Sequence, residues 1–390
     1  MSGRGLSPAR RTAGIRPFRA MALLARAREL EAADRDIVHM EIGEPDLGTP
    51  AAVTAAGGRA LAAGHTRYTP APGLPALREA LSDWYRRHHG LALDPARIFV
   101  TPGASGALQV ALALVVDAGD EVLHPVPGYP CNPNFARLLD ARPVALQTAA
   151  AAGYQPEPEQ VEAAWTGRTA ALLLASPANP TGAVLDRERL MALVAATAGR
   201  GWIVADEIYQ GLCFGEPAAS ALETGAEHVL VVNSFSKYFG MTGWRIGWLV
   251  VPQALVAAAE RLVQNLFLSA PTLAQYAALA ALEPEVTAEL DGRVEVYRQR
   301  CAWLLPALES LGFRVPAPPR GAFYIYADSA GLGPDSLELS ATLLEQAGVA
   351  VTSGADFDPE RGLHHLRFAF TTGLERLREG VARLEEFLRG

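Results

Sequence analysis

Between about Ala96 and Pro252, seven short β-rich runs alternate with helical patterns, and nothing else in the chain restricts its possible folds so strongly. The runs are RIFVT (97–101), EVLH (121–124), PVALQ (143–147), AALLLA (170–175), WIVAD (202–206), HVLVVNS (228–234) and RIGWLVV (245–251). They are apolar throughout rather than alternating, so both faces of the sheet are expected to be covered, and the intervening helices imply right-handed βαβ crossovers. This predicts an α/β fold built on a doubly wound, mostly parallel seven-stranded sheet. The final link, Phe235 to Trp244, is too short for a crossover that keeps the next strand parallel. The seventh strand is therefore expected to be antiparallel.

After Pro284 the pattern changes. Leu290, Val294, Tyr297, Cys301, Leu304, Leu308 and Leu311 recur at steps of four and three, which predicts a long helix. Strands near 322–327, 349–352 and 365–370 follow, with helices near 336–346 and 374–388, as in a smaller α+β domain. Residues 1–16 are expected to form a mobile arm. Pro17–Ala32 reads as a helix with Met21, Leu24 and Arg28 on one face. The expected division is an N-terminal arm and helix (1–45) joining the smaller domain, a large α/β domain (46–290) and a small C-terminal domain (291–390).

The net charge of −8, with no basic block, argues against nucleic acid as the main partner. Three widely spaced cysteines, Cys131, Cys213 and Cys301, form neither a CxxC nor a metal-ligand cluster, and fit a reducing, cytoplasmic compartment. The uncharged stretches Ile98–Val116 and Leu262–Leu282 are interrupted by Pro, Gly, Ser or Gln, unlike a bilayer helix. The first 28 residues hold seven arginines and no acid, but too little serine for a transit peptide and no apolar signal core.

Ligands of open α/β sheets bind beyond the carboxyl ends of the parallel strands, and the distinctive residues gather there. TPGASGALQVAL (101–112) offers a Gly-rich turn whose helix-opening N–H groups, at Ala104 and Ser105, suit a phosphate. Tyr129 in PVPGYP supplies an aromatic and Asn179 in NPTG an amide. Asp206 ends the fifth run in ADEIY, with Tyr209 three residues on. The sixth ends in SFSKYFGMTGWRIG, with Ser234, Ser236, Lys237 and Arg245. Of 34 basic residues, Lys237 alone is lysine, so arginine fills every cationic position except one where an amine can lose its proton. A planar, phosphorylated, aldehyde-bearing heteroaromatic, pyridoxal 5′-phosphate, would use all of these groups: an amine for a Schiff base, an acid for its ring nitrogen, and donors for its phosphate.

With these motifs the chain resembles the class I/II aminotransferases of pyridoxal-phosphate fold type I, the aspartate aminotransferase group, from about Pro17 to the C-terminus. SFSKYFGMTGWRIG matches the family's lysine signature, and NPTG, ADEIY, IGEPD (42–46), RYTPAPGLPALREAL (67–81) and LRFAF (366–370) support it. The resemblance implies that Lys237 forms the Schiff base and shuttles the substrate's proton. Asp206 would keep the pyridine nitrogen protonated, Tyr209 and Asn179 would hydrogen-bond the phenolic oxygen, and Tyr129 would stack on the ring. Ala104, Ser105, Ser234 and Arg245 would hold the phosphate, with help from Ser236. Arg367 would grip the substrate carboxylate beside the Gly43 backbone. Tyr68 would reach the phosphate of a neighbouring subunit, so a homodimer with shared sites is implied.

The arginine that dicarboxylate-specific relatives place ahead of a segment like LSAPT is missing here, where Asn265 stands near the expected place; Arg16 and Arg19 are the candidates to replace it. The expected reaction moves an amino group between an L-amino acid and a 2-oxo acid. Two alternatives use the same residues: a C–S lyase or aminocyclopropane carboxylate synthase-like elimination, and a non-catalytic ligand sensor. A nicotinamide-dependent dehydrogenase fails for want of GxGxxG.

Overall fold

The computed structural model describes residues 6–333 and 335–389. Eleven strands are found among them: β1 (Val38–Met40), β2 (Ile98–Thr101), β3 (Glu121–Val126), β4 (Arg142–Gln147), β5 (Thr169–Ala175), β6 (Trp202–Asp206), β7 (Val229–Ser234), β8 (Gly247–Val250), β9 (Tyr324–Asp328), β10 (Val349–Ser353) and β11 (His365–Ala369). Seven build one sheet in the order β2-β8-β7-β6-β5-β3-β4. Its pairs are parallel except for β8, which runs antiparallel to both β7 and β2, as the short link before it requires. Alternate residues of one strand enter different cores: Ile203 and Ala205 pack on one side of β6 and Val204 on the other. Burial on both faces is why the runs are apolar rather than alternating.

The register sets the floor of the site. Ala175 of β5 pairs with Asp206 of β6, and Asp206 with Val232 of β7, so three strands end together. The helix Gly103–Val115, which follows β2, is rich in Ala and Gly and packs close on β7 and β8. A Cβ on Gly247 would lie 2.8 Å from the Gly103 carbonyl carbon and 3.0 Å from the Ala104 nitrogen. Only glycine lets β8 run this tightly under the first turn of the helix.

The other four strands form a second sheet, β1-β10-β11-β9. β1 pairs parallel with β10, which ties the N-terminal segment to the C-terminal strands. The N-terminal helix, Arg19–Ala32, packs on this sheet through Ala27 and Leu30, which meet Ile37, Leu344 and Ala350. Met21, Leu24 and Arg28 do share a face, but Met21 and Arg28 are exposed and Leu24 is half-buried. The helix instead buries Ala20, Ala27 and Leu30.

Residues 1–5 of the expected arm lie outside the described residues. Further along it, Arg11 donates to the Leu138 carbonyl at 3.0 Å and pairs with Asp140 at 3.2 Å, while Leu6 is fully exposed. The long helix runs from Pro284 to Ser310 and buries Leu290, Tyr297, Cys301, Leu304 and Leu308. Its buried Arg300 holds Asp46 through two bonds of 2.8 and 2.9 Å, anchoring the 42–46 loop. Among the described residues no helix is long and apolar enough to cross a membrane.

Candidate active site

A cavity of about 240 Å³ opens where the carboxyl ends of β5, β6 and β7 meet the second sheet and the N-terminal helix. Eleven of the residues singled out from the sequence line it: Gly43, Ala104, Ser105, Tyr129, Asn179, Asp206, Tyr209, Ser236, Lys237, Arg245 and Arg367. Ser234 does not. It lies behind the wall, 1% exposed, and its hydroxyl donates to Ser236 Oγ at 2.9 Å and to the Ile246 carbonyl at 3.0 Å. Tyr68 stands outside this chain's cavity, 82% exposed. Asn265 is exposed too, with its amide turned back onto the Arg261 carbonyl. Arg16 and Arg19 line an adjacent cavity instead.

Lys237 follows β7 and donates from Nζ to the Gly43 carbonyl at 2.6 Å. Burial pushes its amine down to about 8, and the nearby Arg367 and Arg245 push the same way. Asp206 is buried at the end of β6, where its carboxylate accepts from the Ile208 N–H at 3.1 Å. Desolvation pushes this carboxyl up to about 6, against the pull of that bond and of Lys237. The environment therefore favours a cationic group set against Asp206.

At the other end of the cavity the helix Gly103–Val115 points its N-terminus inward. Gly103 has φ +71°, and a Cβ there would lie 2.6 Å from an Arg245 nitrogen. Arg245 is itself held at φ +53°, a conformation uncommon outside glycine, and donates to the Thr242 carbonyl at 3.0 Å. The first N–H groups of this helix, which have no partner within it, the Arg245 guanidinium and the side chains of Ser105 and Ser236 thus line one cavity, a donor set suited to a phosphate.

Arg367 rises from β11 and is 2% exposed. Its Nη1 donates to Asn179 Oδ1 at 3.0 Å, and its Nη2 to the Glu41 carbonyl and to Thr352 Oγ1. The buried Nε has no partner. A buried donor without a partner is costly. The guanidinium is sandwiched 4.4 Å over the Tyr324 ring and 4.7 Å over Phe357.

Sequence reasoning missed several wall residues. Tyr324, the first residue of β9, shares a hydroxyl–hydroxyl bond of 2.8 Å with Tyr209. Phe18, Ala20 and Met21 come from the start of the N-terminal helix, Glu41 and Ile42 from just past β1, and Leu108 from the helix Gly103–Val115. Phe18 meets Tyr129 edge-on at 6.5 Å. The buried Glu41 is held by His39 Nδ1 at 2.7 Å, and that bond raises His39 to about 9.

The donor set fits pyridoxal 5′-phosphate on three counts: an amine with a lowered pKa, a desolvated carboxylate lacking a cation, and an anion cradle too tight for a Cβ.

Comparison with known proteins shows the family. The family described as aminotransferase class I and II matches residues 35–384. A valine–pyruvate aminotransferase of Mycobacterium tuberculosis is 37% identical, over 96% of this chain and 97% of its own. An aspartate/prephenate aminotransferase of Thermus thermophilus is 38% identical, over 99% of each chain. A crystal structure of an aminotransferase from Mycobacterium tuberculosis superposes with a TM-score of 0.95 at 37% identity, covering 99% of this chain and 100% of that one.

Proposed function

The chain belongs to the class I and II aminotransferase family and is a transaminase, and from that premise we propose that its cavity binds pyridoxal 5′-phosphate and uses Lys237 as the acting amine. The observation that carries this is the meeting of Lys237, Asp206, Arg245 and Arg367 around one cavity. When bound, the cofactor supplies an aldehyde for an amine and a ring that withdraws electrons from the substrate's α-carbon. The donor amino acid loses its amino group and leaves as a 2-oxo acid, and a second 2-oxo acid receives that group.

The chain's own residues bind, orient and move protons. Ala104 and Ser105 N–H groups, Ser236 and Arg245 hold the phosphate, while Ser234 fixes the Ser236 hydroxyl from behind. Asp206 accepts the ring N–H and so gains the cationic partner its burial demands. Tyr209 and Asn179 orient the phenolic oxygen, and Tyr129 covers the ring. Arg367 takes the substrate carboxylate through its guanidinium N–H groups, whose planar fork suits a two-pronged bond. Lys237 Nζ removes the α-proton and redelivers it; lowered to about 8, the amine has a large neutral fraction at mildly alkaline pH. Gly43 holds that nitrogen in place through its carbonyl.

In this reading residues 46–290 form the cofactor-binding domain and the flanking segments the smaller one. The enzyme works as a cytoplasmic homodimer in which the exposed Tyr68 reaches the partner's phosphate. The test is reconstitution with the cofactor followed by mixing with amino acids. Loss of visible absorbance with stoichiometric 2-oxo acid is expected. Release of ammonia or thiol without that change would overturn transamination in favour of elimination.

A further inference from the structure

We propose that the substrates of both half-reactions carry a single carboxylate and an apolar side chain, which packs against the first turn of the helix Arg19–Ala32. The inference rests on the cavity being the transamination site. Among the described residues that line it, the cations are Lys237, Arg245 and Arg367. All three are already occupied, Lys237 with the amine chemistry, Arg245 with the phosphate and Arg367 with the α-carboxylate. The other charged lining residues, Glu41 and Asp206, are acids.

The wall left for a side chain is apolar: Phe18, Ala20, Met21, Ile42 and Leu108. The helix start offers nothing to an anion either. The buried carboxylate of Asp356 accepts the Ala20 N–H at 2.9 Å and draws Arg19 to 3.9 Å. Arg19 thus lies against Asp356 and, like Arg16, lines the adjacent cavity beyond Phe18 and Tyr129. On this chain's part of the wall a second carboxylate would find no free cation to pair with, which is strongly disfavoured. A branched or long apolar chain instead gains contact there. One cavity serves donor and acceptor in turn, so the same rule holds for both.

Two measurements on the cofactor-loaded enzyme test this. In calorimetric titration, non-reacting 4-methylpentanoate is expected to bind at least ~10-fold more tightly than glutarate. In single-turnover conversion of the visible band, leucine, valine or methionine is expected to exceed aspartate and glutamate by about 100-fold or more in kcat/KM. Met21→Arg, which places a cation on that wall, is expected to move the aspartate-to-leucine ratio at least ~10-fold toward aspartate, while Met21→Leu keeps the apolar preference. Aspartate or glutamate reacting as well as leucine, or glutarate binding as well as 4-methylpentanoate, would overturn the proposal and leave transamination intact. Failure of every amino acid to change the visible band would sink both.

Discussion

Tyr209 and Tyr324 meet hydroxyl to hydroxyl at 2.8 Å, one from just beyond β6 and the other from the start of β9, so a buried hydrogen bond joins the two sheets at the reaction site. The Tyr324 ring also lies 4.4 Å under the Arg367 guanidinium. Tyr324 thus connects the group proposed to orient the cofactor's phenolic oxygen with the group proposed to bind the substrate. Either hydroxyl can donate in this bond; once Tyr209 gives its proton to the cofactor, Tyr324 becomes the donor and strengthens that donation. Tyr324→Phe is therefore expected to raise the pKa of the visible-band titration, by less than Tyr209→Phe does, and to lower kcat/KM by about 10-fold, the worth of one hydrogen bond. A merely structural tyrosine would leave that titration unmoved.

Asp206 links pH to stability in the cofactor-free protein. Burial raises its carboxyl from 3.8 to about 6, so the folded state holds this proton more tightly than the unfolded one. Stability is then lost as pH climbs from 3.8 to about 6, and the loss is complete above that, on the order of 3 kcal/mol at most. Asp206→Asn is expected to make the cofactor-free protein more resistant to urea at pH 7.5, with little advantage at pH 4.5. With cofactor the order should reverse, because the wild-type carboxylate then has its cationic partner. Equal urea midpoints at pH 7.5 would contradict this account.

Gly43 has no room for a side chain, since a Cβ there would lie 1.7 Å from the Tyr324 hydroxyl. Its carbonyl also holds Lys237. Gly43→Ala is expected to displace Tyr324 and disturb the lysine, lowering stability by about 1–3 kcal/mol, as overpacking does, and activity by ~100-fold. Adding Tyr324→Ala should return part of the lost stability, which a double-mutant cycle in thermal melts reads directly. Additive losses would show that the two residues do not compete for space.

The seven-stranded sheet was legible because burial on both faces leaves an apolar run for each strand, and link length alone gave the direction of β8. The site's floor was legible for a related reason: Asn179, Asp206, Tyr209 and Lys237 sit at or just past the carboxyl end of a strand and Arg245 just before β8, within motifs that are contiguous in sequence. Tyr324 was not, because a tyrosine in GAFYIY reads as an ordinary core aromatic until β9 is folded against Tyr209, 115 positions away. Met21 was read as part of a helix face and Phe18 not singled out, because nothing in the sequence shows that this helix buries Ala27 and Leu30 on the second sheet and turns part of its first turn toward the cavity. Ser234 has the right chemistry but sits one layer too deep, where it positions Ser236.

Lys237 as the acting amine is the central claim, and the composition makes it unusually simple to test: the only other primary amine in the sequence is the chain's own N-terminus. The cofactor-loaded enzyme is reduced with borohydride, digested and mapped by mass spectrometry, beside Lys237→Ala. The account predicts one pyridoxyl adduct, on Lys237, and a folded but colourless and inactive Lys237→Ala protein. An adduct elsewhere, or a coloured and active Lys237→Ala enzyme, would contradict it.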